Sequence, residues 1–189
     1  MHVGAEQQDI VLIDVANGIV GDVERFDRRA AGFDRRFKPG GVRARAAEFR
    51  VDTAHVGIMG FSAGGELAAY AETRWDRGNA DSSDPIERQS SRPDFVVLGY
   101  PAGKAANLTF TKETPSTFIV VNNDDNLAPN STDYYAAIRK AGVPVEIHVY
   151  LHGGHGFGMT GRTPEFAKWP VSGWPGRFKE WMLDQGFLR

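Results

Sequence analysis

Apolar and polar positions along this chain fall into two kinds of stretch. Short apolar runs rich in β-branched residues occur at 9–15 (DIVLIDV), 55–59 (HVGIM), 94–99 (DFVVLG), 117–121 (TFIVV) and 145–150 (VEIHVY). Runs of this length, bounded by Gly, Pro, Asn and Asp, predict strands. The first four do not alternate, as expected of strands covered on both faces. The fifth alternates, with Val145, Ile147 and Val149 on one side and Glu146, His148 and Tyr150 on the other. That pattern predicts a strand near a sheet edge.

Helical stretches separate these runs. Residues 42–50 (VRARAAEFR) are rich in Ala and Arg, and Lys38-Pro39-Gly40-Gly41 before them predicts a break. Ala63 to Thr73 predicts a helix with Leu67, Tyr70, Ala71 and Arg74 on one face and small residues that allow close packing. A third helix is expected after a cap at Asn130 or Ser131. Tyr134, Ile138 and Ala141 form its apolar stripe, Gly142 stops it and Pro144 prevents it resuming. A fourth opens at Pro175, runs through Trp181 and Leu183, and closes at Gly186. Residues 76–93 read as a long surface loop and 101–116 as a Gly/Pro/Thr-rich connection. Strands alternating with helices predict a single α/β domain with a mostly parallel sheet and helices on both faces. Ligands bind such sheets at the carboxyl ends of the strands.

Residues 1–41 fit this scheme least well. Asn17-Gly18 and Gly21-Asp22 are turn signals, and a Phe-Asp-Arg-Arg unit recurs at 26–29 and 33–36. The stretch 24–38 reads as a solvated helix or loop rather than a basic interaction segment. The 189-residue chain has a net charge of −2 and a pI near 6.2, which gives no electrostatic reason to expect nucleic acid. With no cysteine, a disulfide framework, a thiolate metal site and a cysteine nucleophile are excluded. No apolar run approaches the ~20 residues of a membrane span, so no membrane partner is expected. No signal peptide is visible, and a cytoplasmic location is the expectation unless the original start is absent.

The candidate chemistry centres on Gly60-Phe61-Ser62-Ala63-Gly64, placed between a strand and a small-residue helix. In that context Gly-x-Ser-x-Gly predicts a nucleophile elbow, with Ser62 on a sharp turn and Gly60 and Gly64 small because the turn leaves no room. The Ala63 N–H, at the start of the helix, is a candidate oxyanion donor. A serine hydroxyl needs a base, and the base needs an orienting acid. Of the five histidines, His155 lies in a glycine-rich loop past the last strand, with clearance to reach Ser62. Asp124 and Asp125 follow the penultimate strand. Asp125, held by the turn Asn126-Leu127-Ala128-Pro129, is the preferred acid, which leaves a turn or capping role for its neighbour. His152, His155, Asp124 and Asp125 could also suggest a metal, but Gly-rich spacing gives no rigid scaffold, so no metal and no cofactor is expected.

Residues 42–189 resemble the C-terminal part of an α/β-hydrolase of the esterase/lipase kind, close to acetylxylan-esterase-like and prolyl-oligopeptidase-like carboxylesterases. The resemblance rests on VGIMGFSAGG at 56–65, DPIERQSSRPDF at 84–95, NNDDNLAP at 122–129, YYAAIRKAGVPVEIHVY at 134–150 and GGHGFG at 153–158. It implies hydrolysis of small or short-acyl esters, often on sugars, through an acyl-enzyme. Ser62 would be the nucleophile, His155 the base and Asp125 the orienting acid, in the order of that fold. Two departures stand out. The family's oxyanion loop, His-Gly-Gly-Gly or Pro-Gly-Gly-Gly, is not recognisable in residues 1–41, and the sheet is expected to be reduced on that side. The connection from Gly99 to Thr117 is shorter than the family's cap-bearing segment, which implies a shallow, open site. Other readings are a weakly active or non-catalytic protein of this fold, self-associating through an exposed apolar edge, and a prolyl-oligopeptidase-like serine peptidase.

Overall fold

A computed structural model describes residues 8–14, 24–26, 39–159 and 164–188, the first two segments as backbone only. Its elements in chain order are β1 (Gln8–Asp14), β2 (Glu24–Phe26), α1 (Pro39–Ala44), α2 (Ala46–Phe49), β3 (Val56–Phe61), α3 (Ala63–Thr73), β4 (Phe95–Gly99), β5 (Ser116–Asn122), α4 (Ala128–Lys140), β6 (Val145–Tyr150), α5 (Pro164–Ala167) and α6 (Trp174–Asp184). Single 3₁₀ turns lie at Ala105–Asn107 and Pro170–Gly173.

One sheet of order β2-β1-β3-β4-β5-β6 organises the chain. Strands β3 to β6 run parallel, with Ile58 beside Val96, Val97 beside Phe118 and Val120 beside His148. Strand β1 lies antiparallel against β3 and carries β2 antiparallel on its outer side. As the period of two dictates, neighbouring residues of one strand enter different cores. Met59, Phe95, Val97, Phe118 and Val120 face Trp174, Phe178, Trp181 and Met182 of α6. Ile58, Val96, Leu98 and Ile119 face Ala68 and Ala69 of α3 and Tyr134 and Ile138 of α4. Burying each large apolar side chain is worth about 1.5–3 kcal/mol, so the two layers fix the sheet between its helices. The architecture is that of the alpha/beta hydrolase fold.

Several sequence expectations are corrected. Pro39-Gly40-Gly41 does not break the chain; it is the first turn of α1, where a missing proline N–H costs nothing. The expected helix over 42–50 is split at Arg45, and Arg50 closes its second half at φ +56°. Arg43 ties α1 to the approach to β4, donating to the carbonyls of Ser90 and Arg92 and pairing with Asp94 at 2.7 Å. Part of the stretch read as solvated helix or loop is strand β2; residues 27–38, with the second Phe-Asp-Arg-Arg unit, lie outside the described residues.

Helix α3 has the predicted bounds, but a different face is buried. Gly64, Gly65, Ala68, Ala69 and Glu72 face inward, while Leu67, Tyr70 and Ala71 are half-buried and Arg74 is exposed. Helix α4 starts at Ala128 with Pro129 in its first turn. Neither Asn130 nor Ser131 caps it, and Ser131 is buried within it. Strand β6 is at the sheet edge, as its alternation implied.

Candidate active site

The elbow is built where β3 passes into α3. Ser62 has φ +54° and ψ −119°, a conformation that costs a non-glycine residue about 1–3 kcal/mol. Backbone bonds hold it there. Its N–H donates to the Gly99 carbonyl at 3.0 Å, and its own carbonyl accepts the Ala102 N–H at 2.8 Å. A Cβ at Gly60 would collide with the backbone of Gly64, so the turn closes only with glycine at 60. Gly65 has a similar role that the pattern did not single out: a Cβ there would lie 2.9 Å from Pro101 Cα.

Asp125 and His155 follow the ends of β5 and β6, which lie past β4 in the sheet. Asp125 follows β5 and is almost fully buried. Its Oδ1 accepts the Leu127 N–H at 2.8 Å, and its Oδ2 lies 2.8 Å from His155 Nδ1. His155 Nε2 lies 3.0 Å from Ser62 Oγ. An ionised carboxylate can only accept, so Nδ1 carries the imidazole proton and Nε2 is free to accept the Ser62 hydroxyl. The imidazole remains 38 % exposed, open to an incoming molecule. Ser62, Asp125 and His155 thus form one hydrogen-bonded series at the carboxyl edge of the parallel strands.

The second acid has a separate task. Asp124 accepts the backbone N–H groups of Gly154 at 2.8 Å and Gly153 at 3.2 Å. The Gly154 N–H, first among these contacts, holds its carboxyl below the usual range. Asn122 donates from Nδ2 to the Gly154 carbonyl at 2.8 Å, so β5 and the turn after it grip both sides of the loop before His155. His152 reaches Asp124 at 3.6 Å and not Ser62. Among the described residues no group of three His, Asp or Glu side chains could hold a metal ion, and no helix is long and apolar enough to cross a membrane.

Two further residues at the site were not found from the sequence. The Tyr100 hydroxyl accepts the Gly158 N–H at 2.9 Å, and its ring meets His155 edge to face at 4.7 Å. The Trp174 indole N–H donates to the Gly158 carbonyl at 3.0 Å. The available signal for Tyr100 was its position, immediately past a parallel strand and before a proline.

The Ala63 N–H is among the first four of α3, which have no partner inside the helix. Gly40-Gly41 is too close to the elbow helix to be the missing loop, and a Cβ at Gly40 would lie 3.2 Å from the Gln89 carbonyl and 3.3 Å from that of Ser90, in the segment before β4. The rest of the stretch where an oxyanion loop was sought, 1–7, 15–23 and 27–38, lies outside the described residues.

Residues 104–159 match the family model described as alpha/beta hydrolase fold. An acetylxylan esterase of Xylanibacter ruminicola is 31% identical over 151 residues, covering 62% of this chain and 29% of that protein. The endo-1,4-beta-xylanase B of Butyrivibrio fibrisolvens is 28% identical over 172 residues, covering 76% of this chain and 26% of that protein. The chain therefore spans less than a third of either curated relative. Among solved structures, the acetyl ester-xyloside bifunctional hydrolase from Caldicellulosiruptor lactoaceticus superposes with a TM-score of 0.74 at 29% identity, covering 87% of this chain and 69% of that one. The chain has the alpha/beta hydrolase fold, and the proteins it resembles in sequence and structure include esterases of that fold.

Proposed function

We propose that this chain is a serine carboxylic-ester hydrolase acting on small or short-acyl esters, sugar acetates among them. The observation that carries the reading is the unbroken series Ser62 Oγ–His155 Nε2 (3.0 Å) and His155 Nδ1–Asp125 Oδ2 (2.8 Å) on a strained elbow. Ser62 Oγ attacks the ester carbonyl as its proton passes to His155 Nε2. Asp125 stabilises the imidazolium and holds its orientation. The negative charge on the former carbonyl oxygen is met by the Ala63 N–H and the positive end of α3. Collapse expels the alcohol, which takes the proton from Nε2, and leaves an acyl group on Ser62. Water then attacks that acyl group, giving its proton to the same nitrogen, and the acid departs with Ser62 restored.

Substrate size is argued from the connection between β4 and β5, which holds only the 3₁₀ turn Ala105–Asn107. Such a short segment gives little cover over an imidazole that is already open, and an open site admits a small acyl group on a bulky alcohol. The relatives named as an acetylxylan esterase and an acetyl ester-xyloside hydrolase support acetyl groups on sugars.

Turnover of p-nitrophenyl acetate by the wild type against Ser62→Ala tests the reading. The expected loss is about 10³-fold or more, with a fluorophosphonate labelling Ser62 in the wild type. Equal slow rates and no label would overturn it.

A further inference from the structure

His155 is flanked by glycines on both sides. Gly153, Gly154, Gly156 and Gly158 all have positive φ, at +146°, +61°, +91° and +53°. A segment of this composition has many accessible conformations. Two bonds to the imidazole hold its two nitrogens, but a reacting base must also be held between them while its proton is in transit. Asp124 and Asn122 anchor the loop before His155. After it, the anchors converge on Gly158: the Tyr100 hydroxyl accepts its N–H and the Trp174 indole donates to its carbonyl.

Of these anchors, Tyr100 is the one whose aromatic ring also meets the imidazole. Its ring lies 4.7 Å from that of His155 at 70° and 4.5 Å from that of Phe157 at 66°. The side chain is 2% exposed, and burial raises its phenol well above the ordinary value, so it stays a neutral hydroxyl. The backbone is bent to put it there. Tyr100 has φ +35°, a region bulky residues avoid, and its N–H is fixed to the Val120 carbonyl at 2.8 Å. Strain kept at a residue that touches the base points to a role at the site rather than in the core alone.

We infer that Tyr100 is a positioning residue for His155, bonding the Gly158 N–H through its hydroxyl and bracing the imidazole with its ring so that Nε2 stays directed at Ser62. This rests on the hydrolase reading above for its kinetic consequence, but not for its structural one. The test compares the full chain with Tyr100→Phe, which keeps the ring and removes the hydroxyl, and Tyr100→Leu, which removes both. With p-nitrophenyl acetate, kcat is expected to fall about tenfold in the first variant and about 100-fold in the second, with KM within twofold in both. The far-downfield proton resonance of His155 Nδ1–H on Asp125 should broaden in Tyr100→Phe and vanish in Tyr100→Leu. A resonance unchanged in both variants, or a kcat unchanged in Tyr100→Phe, would overturn the assignment. So would a Tyr100→Phe variant that fails to fold, since the bond would then belong to the fold. If the wild type turns over no ester yet its resonance responds as described, the hydrolase reading fails and the positioning stands.

Discussion

Strand β5 has a buried acid near each end, and the two differ in their partners. Asp125, past the carboxyl end, receives an N–H on one oxygen from Leu127 and faces the His155 imidazole with the other. Glu72, reaching from α3 to Thr117, the second residue of the strand, is fully buried. Its Oε1 lies 2.5 Å from Thr117 Oγ1, and its Oε2 has no hydrogen-bond partner among the described residues. Thr117 has one hydroxyl proton, and the Pro115 carbonyl stands 3.0 Å away to accept it. A neutral Glu72 supplies the missing proton, in keeping with burial pushing its pKa up to about 8. Two buried acids thus have different partners. Two N–H donors suit a carboxylate; one shared hydroxyl suits a protonated acid.

The largest effect that would test this contrast is at Asp125. Asp125→Asn should lower kcat about 10³-fold or more, because an amide cannot hold the imidazole proton on Nδ1 as a carboxylate does. A loss under tenfold would remove the distinction between the two acids. At Glu72 the effect is on stability and pH. The folded pKa is above the unfolded one, so from about pH 5 to about 8 the native state holds one proton more than the unfolded state. Stability contributed by the neutral acid is complete at low pH and falls as pH rises, at up to about 1.4 kcal/mol per unit. Urea titrations across that window should show this slope in the wild type and a flatter one in Glu72→Gln. Parallel slopes would mean that Glu72 titrates alike in both states. The smallest effect belongs to Asp124, whose carboxyl bonds the backbone N–H groups of Gly153 and Gly154 and does not meet the imidazole of His155. Asp124→Asn should reduce kcat roughly three- to tenfold, measured on the same ester, and a loss matching that of Asp125→Asn would erase the division of labour.

The contrast also bears on what could be read from residue order. The positions of Ser62, Asp125 and His155 past strand ends could be read because each follows an apolar run, and α3 has its expected ends, Ala63 and Thr73. The inward face of α3 was not legible. Its packing is done by Gly65, Ala68 and Ala69, and an apolar pattern gives more weight to Leu67 and Tyr70, which cover a rim. Pro39-Gly40-Gly41 was read as a stop because both residue types end helices, yet proline also begins them. Strand β2, Glu24-Arg25-Phe26, has no periodicity of its own and is a strand by virtue of its pairing with Gln8–Ile10. Tyr100 depends on a backbone angle and on β4 ending beside the loop of β6, and neither is written in a local pattern.

The parallel strands stand in the sheet in the order in which they are made, β3 to β6, and the Ser62–His155 bond spans 93 positions. On the ribosome, each new strand has a finished neighbour to join. Ser62, Asp125 and His155 have all been synthesised once His155 emerges, but the aromatic face bearing Phe95 and Phe118 is still bare, and Gly158 has not met its indole. Both needs are met by α6, whose Trp174 follows His155 by 19 residues. The locking of this cluster is therefore a late event in synthesis, made by a helix that contributes none of its three hydrogen-bonded side chains.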